Sequence, residues 1–456
     1  MKVEEKMAAY VVPTTPVLSI GEVCKTTSGG TPSRNNPSYF SGSIPWVKSG
    51  ELPDGPVIEI EESISEEALQ QSSAKLFPEG TLLMALYGAT VGKLGILTRP
   101  SATNQAICAL FPSSQLANKY LFWFLRFKRS DLIAQAVGGA QPNISQGIVR
   151  DLMIPIPSLD QQKQIVAEIE KQFSRLDEAV ANLKRVKANL KRYKAAVLKA
   201  AVEGRLVETE AELARREGRS YETGEQLVQR ILEARRRQWQ GKGKYREPAV
   251  PDTTDLPKLP EGWVWSNFES AAERVTVGHV GSMKDEYVEL GVPFLRSQNV
   301  RANRYDSEGL KFVSQEFHRQ LGKSALRPGD IVVVRSGSVG VSCVIPDHLA
   351  EANCSDLVII KEPRGVLPHY GAYYMNSVVE TRVAAGKVGI ALTHFNTQSV
   401  AELPLPLPPM AEQLRIVAEV DRRLSVVREI DALVDANLTR AERLRQSILG
   451  KAFSAR

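Results

Sequence analysis

The last 51 residues of the chain repeat a segment from its middle. Residues 155–205 align without a gap to residues 406–456 at a constant offset of 251, and 14 of the 51 positions are identical. Each copy opens with Pro-x-Pro, which ends a preceding strand. Ser158 and Gln161 form a capping-box pattern at the start of the first copy. The repeat therefore predicts a duplicated architecture in which a helix closes each half.

Both copies place an apolar residue at every seventh position, which is typical of a coiled-coil seam. A second seam, three residues earlier, drifts to Val186 and Tyr193 in the first copy, so we expect a stutter there. Each copy is predicted to form one long helix of up to ~70 Å at 1.5 Å per residue. The residues predicted to pair the helices are Ile169, Leu176, Leu183, Leu190, Val197, Val420, Val427, Val434, Ala441 and Ile448.

The blocks that precede the helices also repeat, but only faintly. Ile44–Ser49 (IPWVKS) matches Val292–Ser297 (VPFLRS) at an offset of 248, and a second strand-like run, Gly80–Gly88, matches Gly329–Gly337. Short β-branched runs separated by Gly, Pro and Asn indicate strands joined by loops. Two aromatic-rich segments, Tyr120–Phe127 and Tyr370–Val379, are predicted to be short helices. Each block is thus expected to be a mixed α/β module of ordinary domain size.

These patterns together predict an α+β protein. Two similar mixed α/β modules would be separated by two long helices, which pack as an antiparallel coiled coil and give a pseudo-two-fold internal repeat. A homodimeric coiled coil is the alternative for the seam, but two similar helices in one chain favour pairing with each other. The predicted domains are a first module at 1–157, a central long helix at 158–205, a charged helical segment with a linker at 206–260, a second module at 261–408 and a C-terminal long helix at 409–456.

The basic residues are concentrated in the helical segments. Residues 1–157 contain 13 basic and 13 acidic residues and residues 261–405 contain 14 and 16, whereas residues 158–205 contain 11 and 6. The net charge of +6 permits a nucleic-acid partner without requiring one. Because phosphate neutralisation supplies much of DNA affinity, modules this neutral are expected to bind DNA only weakly on their own.

Several classes of protein do not fit the composition. We find no apolar run near the ~20 residues that a membrane helix needs, and the start, MKVEEKMAAY, does not have the pattern of a secretory signal. The four cysteines form no CxxC pair, so neither a zinc site nor a disulfide framework is expected. We therefore expect a cytoplasmic protein with no metal site.

No catalytic constellation is evident either. All five histidines lie in the second half of the chain, so the two modules cannot share His-based chemistry. Asn36–Tyr39 (NPSY) is similar to the Asn-Pro-Pro-Tyr motif of amino-methyltransferases, although no Gly-rich cofactor turn accompanies it. Two functional classes stay open at this point: a stand-alone DNA methyltransferase or nuclease, and a coiled-coil scaffold without a nucleic-acid role. We predict no catalytic residue.

Four segments resemble the specificity subunit of type I restriction–modification systems. They are GGTPSRNNPSYFSGSIPWVKSGEL, PIPSLDQQKQIVAEI, LPEGWVW and PLPLPPMAEQLRIVAEV. The resemblance implies two target-recognition domains that read the unequal halves of a split DNA site. It also implies a non-catalytic, cytoplasmic subunit without a cofactor of its own. Its partners would be double-stranded DNA, two methyltransferase subunits that bring S-adenosylmethionine, and restriction subunits that use ATP and Mg.

The residues at the matched strand ends suit that role. Arg and Lys can bond guanine in the major groove, and Asn and Gln can bond adenine. Lys48 and Arg296 occupy equivalent positions in the repeat, directly after a predicted strand. The candidate DNA-binding residues are Lys48, Ser49, Tyr87, Lys93, Gln141, Asn143, Arg296, Ser297, Gln298, Asn299, Arg301, Arg304, Arg335, Ser336, Lys387, His394 and Asn396.

Overall fold

A computed structural model describes residues 15–135, 143–240, 244–384 and 396–454. The chain divides into two compact units. The first unit comprises residues 1–184 and 434–456, and the second comprises residues 185–433. Both units are mixed α/β, as the sequence predicts.

The first unit contains short strands, short helices and one longer helix, and it also takes in part of each long helix. In chain order its elements are β1 (Val17–Ser19), α1 (Ile20–Val23), β2 (Cys24–Ser28), β3 (Ile44–Val47), β4 (Gly55–Val57), β5 (Glu62–Ile64), α2 (Glu66–Gln71), β6 (Leu76–Phe77), β7 (Leu82–Ala85), β8 (Leu94–Leu97), β9 (Ser101–Thr103), β10 (Ile107–Pro112), α3 (Asn118–Ala134), α4 (Gln146–Arg150), β11 (Met153–Pro155) and the start of α5 (Leu159–Val202).

The second unit has a matching series of elements. After the end of α5 they are α6 (Glu210–Glu217), α7 (Gly224–Gln238), β12 (Val264–Asn267), α8 (Phe268–Ala271), β13 (Ala272–Val277), β14 (Tyr287–Val288), β15 (Val292–Leu295), β16 (Val300–Arg301), β17 (Arg304–Tyr305), β18 (Lys311–Val313), α9 (Gln315–Gln320), β19 (Ile331–Val334), β20 (Ser342–Val344), β21 (Asn353–Cys354), β22 (Leu357–Pro363), α10 (Pro368–Ala384), α11 (Thr397–Ala401), β23 (Pro404–Leu407) and the start of α12 (Met410–Phe453).

The sheets of the two units follow the same plan. The first unit has the orders β2-β10-β7-β8-β4, β5-β3-β9-β6 and β1-β11, and the second has β13-β22-β19-β20, β14-β18-β15-β21 and β12-β23, with a small β16-β17 hairpin in addition. β3 runs parallel to β9, and β15 runs parallel to β21. The faint sequence repeat therefore corresponds to a repeated topology within the chain.

The aromatic helices are longer than the sequence predicts, and they pack in an equivalent way. Tyr120 on α3 and Tyr370 on α10 are both fully buried. The Tyr120 hydroxyl donates to the Pro155 carbonyl at 3.0 Å, and the Tyr370 hydroxyl donates to the Pro406 carbonyl at 2.7 Å. Both acceptors lie just before a long helix. Each phenol therefore joins the internal helix of its module to the strand that leads into α5 or α12.

The two long helices, α5 and α12, each contribute to both units. The predicted capping box is present, since the Ser158 hydroxyl accepts the Gln161 N–H at 3.3 Å and the Ser158 N–H donates back to the Gln161 side chain at 3.0 Å. All ten predicted pairing residues are buried or half-buried. Val186 and Tyr193 are instead exposed, so the second seam does not continue to these residues.

Side-chain contacts join α5 and α12 inside each unit. In the first unit, Asp177 forms an ion pair with Arg445. The Arg445 guanidinium also lies 5.3 Å from the centre of the Phe173 ring. In the second unit, Lys194 lies 3.5 Å from Asp431. The two helices thus contact each other in both units.

The charged segment forms two helices rather than one. Gly218, with φ of 67°, ends α6 in the left-handed conformation that glycine favours. Helix α7 follows and buries Leu227 and Ile231, the two residues of its predicted periodicity. In the described part of the chain, no helix combines the length and the apolar character needed to cross a membrane.

Candidate nucleic-acid interface

Two equivalent strand ends each present a basic residue, as the sequence predicts. Strand β3 ends at Val47, immediately before Lys48, and β15 ends at Leu295, immediately before Arg296. A single 3₁₀ turn follows each basic residue, at Ser49–Glu51 and Ser297–Asn299. The folding of the repeat therefore places both cations at the same point of their modules.

Each turn is closed by its third residue. The Lys48 N–H donates to the Glu51 carboxylate at 2.8 Å, and the Arg296 N–H donates to the Asn299 side-chain oxygen at 3.0 Å. A side chain that accepts the first free N–H of a turn stabilises it. Glu51 and Asn299 differ in charge, so the repeated turn carries a carboxylate in one unit and a neutral amide in the other.

Lys48 lies within a group of acidic residues. Its ammonium is 2.7 Å from Glu61, 3.1 Å from Glu62 and 3.6 Å from Glu51. Hydrogen bonds to Glu61 and then to Glu62 raise the pKa of Lys48. Arg34 also contacts Glu62, at 2.7 Å. This site therefore offers carboxylate acceptors beside its cations, and carboxylates can accept from the amino group of cytosine.

Arg296 lies in a different environment. Its guanidinium donates to the Gly309 carbonyl at 2.8 Å and lies 5.9 Å from the centre of the Tyr287 ring. The Lys311 ammonium is also 5.9 Å from that ring. Within the part of the chain that the structure describes, no carboxylate lies within ion-pair distance of either cation. The Arg296 Nε is buried without a hydrogen-bond partner, so this module presents two basic groups around one aromatic ring.

The hairpin β16–β17 displays two more predicted residues. Arg301 lies 3.1 Å and Arg304 lies 3.7 Å from the Asp306 carboxylate, and both arginine side chains are more than half exposed. The Glu308 N–H and then Arg301 lower the pKa of Asp306, which keeps the carboxylate ionised. The two arginines are therefore held together by one acidic residue while their outer surfaces face solvent.

Asn299 has a structural role that the sequence analysis did not identify. It is fully buried, and its amide group donates to the carbonyls of Asp306 and Glu308 at 3.0 and 3.1 Å. Since its oxygen already accepts the Arg296 N–H, the side chain has no accessible surface for a base. We therefore correct the prediction for Asn299: it organises the loop that carries the arginines.

Arg335 and Ser336 follow β19 and converge on one carboxylate. The Asp356 side chain accepts from Arg335 at 3.0 Å and from the Ser336 hydroxyl at 3.3 Å. In the first unit, Tyr87 follows the equivalent strand β7, and its hydroxyl donates to the Gln105 carbonyl at 2.8 Å. The predicted residues at these second strand ends are therefore held by neighbouring segments.

The remaining predicted residues lie in loops or outside the described residues. Ser49 and Ser297 begin the two 3₁₀ turns, Gln298 donates to the Gly309 carbonyl at 3.2 Å, and Lys93 is half-buried just before β8. Asn143 forms a bridge with Tyr87, and the Asn396 side chain caps α11 by accepting the Ser399 N–H at 2.8 Å. The predicted residues outside the described part of the chain are Gln141, Lys387 and His394.

The enzyme-like motif has a local structural role. The Asn36 side chain accepts from the Ser38 N–H at 3.2 Å and caps the 3₁₀ turn Pro37–Phe40. The Tyr39 hydroxyl donates to Gln71 at 3.0 Å. Across the residues that the structure describes, no group of three or more His, Cys, Asp or Glu is placed to hold a metal ion.

Sequence reasoning missed the acidic and aromatic partners of the two strand ends. Glu61 and Glu62 reach Lys48 because β5 pairs with β3, and the Trp46–Glu62 register brings the carboxylates next to the strand end. Tyr287 and Lys311 reach Arg296 in the same way, through β14, β18 and β15. A repeat alignment compares equivalent positions, whereas these contacts join different positions within one module.

Comparison with known protein families agrees with this architecture. A family model for the type I restriction modification DNA specificity domain matches residues 15–192. The specificity subunit of the type I restriction enzyme EcoKI from Escherichia coli K12 is 24% identical over 430 residues, covering 90% of this chain and 82% of that protein. That of EcoR124I/EcoR124II, also from Escherichia coli, is 29% identical over 168 residues, which are 36% of this chain and only 41% of that protein.

Solved structures share the fold over nearly the whole chain. One, described as the structural basis of complex assembly and conformational transition of the type I R-M system, has a TM-score of 0.69 and 18% identity, covering 97% of this chain and 98% of its own. The HsdS subunit from Thermoanaerobacter tengcongensis has a TM-score of 0.53 and 18% identity, covering 97% of each chain. The chain is thus similar in sequence to the specificity subunits of type I restriction–modification systems, and it shares the fold of these solved structures.

Proposed function

We propose that this chain reads a bipartite, asymmetric DNA target and acts as a non-catalytic adaptor. The observation that carries the proposal is the pair of equivalent strand ends with different surroundings. Lys48 sits among three carboxylates, whereas Arg296 sits beside Lys311 on an aromatic ring. Groups that differ in this way select different base edges. Two copies of one framework would therefore recognise two unlike half-sites.

The helices α5 and α12 are proposed to act as an antiparallel coiled coil that spaces the two modules with a pseudo-two-fold relation. The contacts of Asp177 with Arg445 and of Lys194 with Asp431 support this pairing, because the partner's number falls as the number along α5 rises. The predicted domains, with modules at 1–157 and 261–408, remain part of the proposal.

The proposed partners are double-stranded DNA, two methyltransferase subunits and restriction subunits. S-adenosylmethionine would be bound by the methyltransferase, and ATP and Mg by the restriction subunit. Exposed apolar residues on the long helices of the second unit support a docking role: Val186 and Tyr193 on α5, and Val426 and Ile430 on α12, are each between 37% and 47% exposed. Apolar side chains grouped on exposed helices commonly mark protein interfaces. We place this assembly in the cytoplasm.

Methylation mapping tests the proposed function. The chain would be co-expressed with its methyltransferase subunit in cells that lack other adenine methylation, and modified adenines would be mapped across the genome. The expected result is one split, asymmetric sequence with a fixed spacer. Methylation without a split target, or methylation that persists when this chain is omitted, would contradict the proposal.

Two further measurements test the alternatives. Titration of the isolated chain with S-adenosylmethionine should show no binding, because the proposal assigns the cofactor to the partner; binding would favour a stand-alone methyltransferase. Docking is tested with the double variant Val426→Asp, Ile430→Asp, which should lose the methyltransferase on co-purification. Val250→Asp, at a residue that is 90% exposed, is the matched control and should retain it.

A further inference from the structure

Each unit contains a non-glycine residue in the left-handed backbone conformation shortly after its capped turn. Asp54 has φ of 64° and Asn303 has φ of 61°. The two positions are equivalent in the repeat, at the offset of 249 that also relates Gly80 to Gly329. Asp and Asn tolerate this conformation better than other side chains, but it remains less stable than an ordinary one. Its presence at the same place in two diverged modules requires compensating contacts.

In the first unit, Asp54 is tied to a neighbouring strand and to helix α3. Its N–H donates to the Leu94 carbonyl at 2.8 Å, and its carboxylate accepts the Leu94 N–H at 3.0 Å. The carboxylate also accepts from the Arg129 guanidinium at 2.8 Å, and Arg129 donates to the Gly92 carbonyl at 2.8 Å. One arginine on the internal helix therefore holds both the loop after Lys48 and the loop that contains Gly92.

In the second unit, Asn303 makes the equivalent connections with different chemistry. Its N–H donates to the Ser342 carbonyl at 2.9 Å, and its side-chain oxygen accepts from the Asn376 amide at 2.6 Å. Asn376 lies on α10, is buried, and also accepts the Ser342 N–H at 3.2 Å. An amide pair thus replaces the carboxylate–guanidinium pair, while the path from loop to strand to internal helix is the same.

We infer that Asp54 and Asn303 are positioning residues for sequence recognition, an inference that rests on the proposed function. Asn303 sits in the turn of the hairpin whose strands carry Arg301 and Arg304. Asp54 ties the segment after Lys48 directly to Leu94, and through Arg129 to Gly92, so its contacts lie on both sides of Lys93. Recognition of base edges requires donor and acceptor atoms held to within a fraction of an ångström. The ties to α3 and α10 supply that constraint from the internal helix of each module.

Glycine substitutions separate this role from a general role in stability. Glycine adopts the left-handed conformation without strain, so Asn303→Gly and Asp54→Gly remove the side-chain tie while relieving the backbone. Asn303→Gly should keep its thermal transition close to that of the wild type, whereas Asp54→Gly also loses the ion pair with Arg129 and should unfold at a somewhat lower temperature, so both variants are assayed well below their transitions. In the methyltransferase complex, Asn303→Gly should raise methylation of sites with one mismatch in one half-site by on the order of tenfold, relative to the cognate site. Asp54→Gly should do the same only for the other half-site.

Matched controls make the result specific. Glu362→Gly relieves the same kind of backbone conformation in the second unit, at φ of 43°, in a strand away from the hairpin, and should leave both half-sites unchanged. Asn303→Asp keeps an acceptor for the Asn376 amide and should restore discrimination. Asp54→Asn keeps an acceptor for Arg129 and should restore part of it.

The outcomes distinguish the inference from the proposed function. A wild-type complex that methylates no split sequence overturns the proposed function, and the inference with it. If the wild type does methylate a split sequence but both glycine variants keep full discrimination, the inference alone is overturned. Equal relaxation of both half-sites by each variant also overturns it, because a merely structural residue would have that effect.

Discussion

Gln162 and Gln413 make the same three hydrogen bonds in their separate units. Both side chains are fully buried near the start of a long helix. The Gln162 oxygen accepts the Ala117 N–H at 2.7 Å, and its amide group donates to the carbonyls of Gln115 and Pro157, both at 2.8 Å. Every polar atom of the side chain is thus directed to the backbone of the segment that enters α3 or α5.

Gln413 repeats this arrangement at the start of α12. Its oxygen accepts the Leu367 N–H at 2.8 Å, and its amide donates to the carbonyls of Gly365 and Pro408 at 2.9 and 3.0 Å. A glutamate could accept but not donate, and an apolar residue could do neither, so only glutamine fits all three partners. The identity of this position in the two copies is explained by that requirement.

The first prediction follows from these contacts. Gln162→Ala and Gln413→Ala leave a buried N–H and two carbonyls without partners, and each should lower the free energy of unfolding by roughly 1–3 kcal/mol. Urea unfolding of the full chain measures the change. Gln164→Ala, at an exposed position two residues along the same helix, is the control and should change it little. Equal stability of all variants would contradict the proposed clamp.

The sequence predicted the elements that depend on repeated local patterns. The apolar heptad residues lie on two long helices and are buried or half-buried. The capping box at Ser158 forms, and strands end directly before Lys48 and Arg296. Gln162 and Gln413 were also recognisable as an identity between the two copies. Their function was not, because it depends on carbonyls in a loop about 50 residues earlier, which only the folded module brings close.

The sequence did not reveal the positions at which the two modules make equivalent structural contacts with different residues. Asp54 and Asn303 share a backbone conformation and a tie to a helix, yet their partners are an arginine and an asparagine. A search for identical residues passes over such pairs. Lys48 similarly looked like a free cation, because nothing in its local sequence shows that β5 delivers Glu61 and Glu62 to it.

The second prediction concerns the pH dependence of stability. Burial opposes ionisation of Asp54, but hydrogen bonds from Arg129 and the Leu94 N–H outweigh it, so the pKa of this carboxyl is lowered. A carboxyl whose pKa is lower in the folded state contributes its full stabilisation above its ordinary pKa of about 4. The contribution is lost as the pH falls through the folded-state pKa. The stability that Asp54 contributes should therefore be full at neutral pH and be lost as the pH falls.

Thermal unfolding between about pH 3 and pH 7 measures this effect. Asp54→Asn should lower the melting temperature at neutral pH and approach the wild type as the pH falls. Asp160→Asn, at an exposed carboxylate near the start of α5, is the control and should follow the wild-type curve. Parallel curves for Asp54→Asn and the wild type over this range would show that the carboxyl does not titrate as its contacts indicate.

The third prediction compares the two strand-end cations. Arg296→Ala should weaken discrimination in one half-site by roughly 1–3 kcal/mol if the guanidinium bonds a base in a bidentate manner. Lys48→Ala should affect the opposite half-site and leave Glu51, Glu61 and Glu62 without their shared cation. Methylation of synthetic sites with single mismatches measures both effects. The control is Arg274→Ala, at an exposed position on β13.

Uniform effects would change the interpretation of these residues. If either substitution lowers methylation of all sequences by the same factor, the residue contacts phosphate or maintains the fold and does not select a base. A salt titration separates these cases, because loss of a phosphate contact reduces the dependence of affinity on salt concentration, whereas loss of a base contact does not.

The fourth prediction treats the long helices as a ruler. Four residues inserted next to Leu183 would lengthen α5 by about 6 Å. That distance is slightly less than two base-pair steps of ~3.4 Å. The facing helix should resist part of the change, since the insertion interrupts a seven-residue seam whose members are buried or half-buried. A folded variant should therefore keep both half-site sequences but prefer one or two additional base pairs between them.

Synthetic sites whose spacers differ by one base pair at a time provide the measurement. The same four residues inserted next to Pro251, in the linker that precedes β12, form the matched control, because that segment lies outside both long helices. A seven-residue insertion next to Leu183 provides a second comparison: it preserves the heptad register, and at 1.5 Å per residue it should move the preferred spacer by about three base pairs. A folded, active four-residue variant with an unchanged spacer would exclude the ruler. The helices would then serve to dock partner subunits, and the distance between half-sites would be set by those subunits.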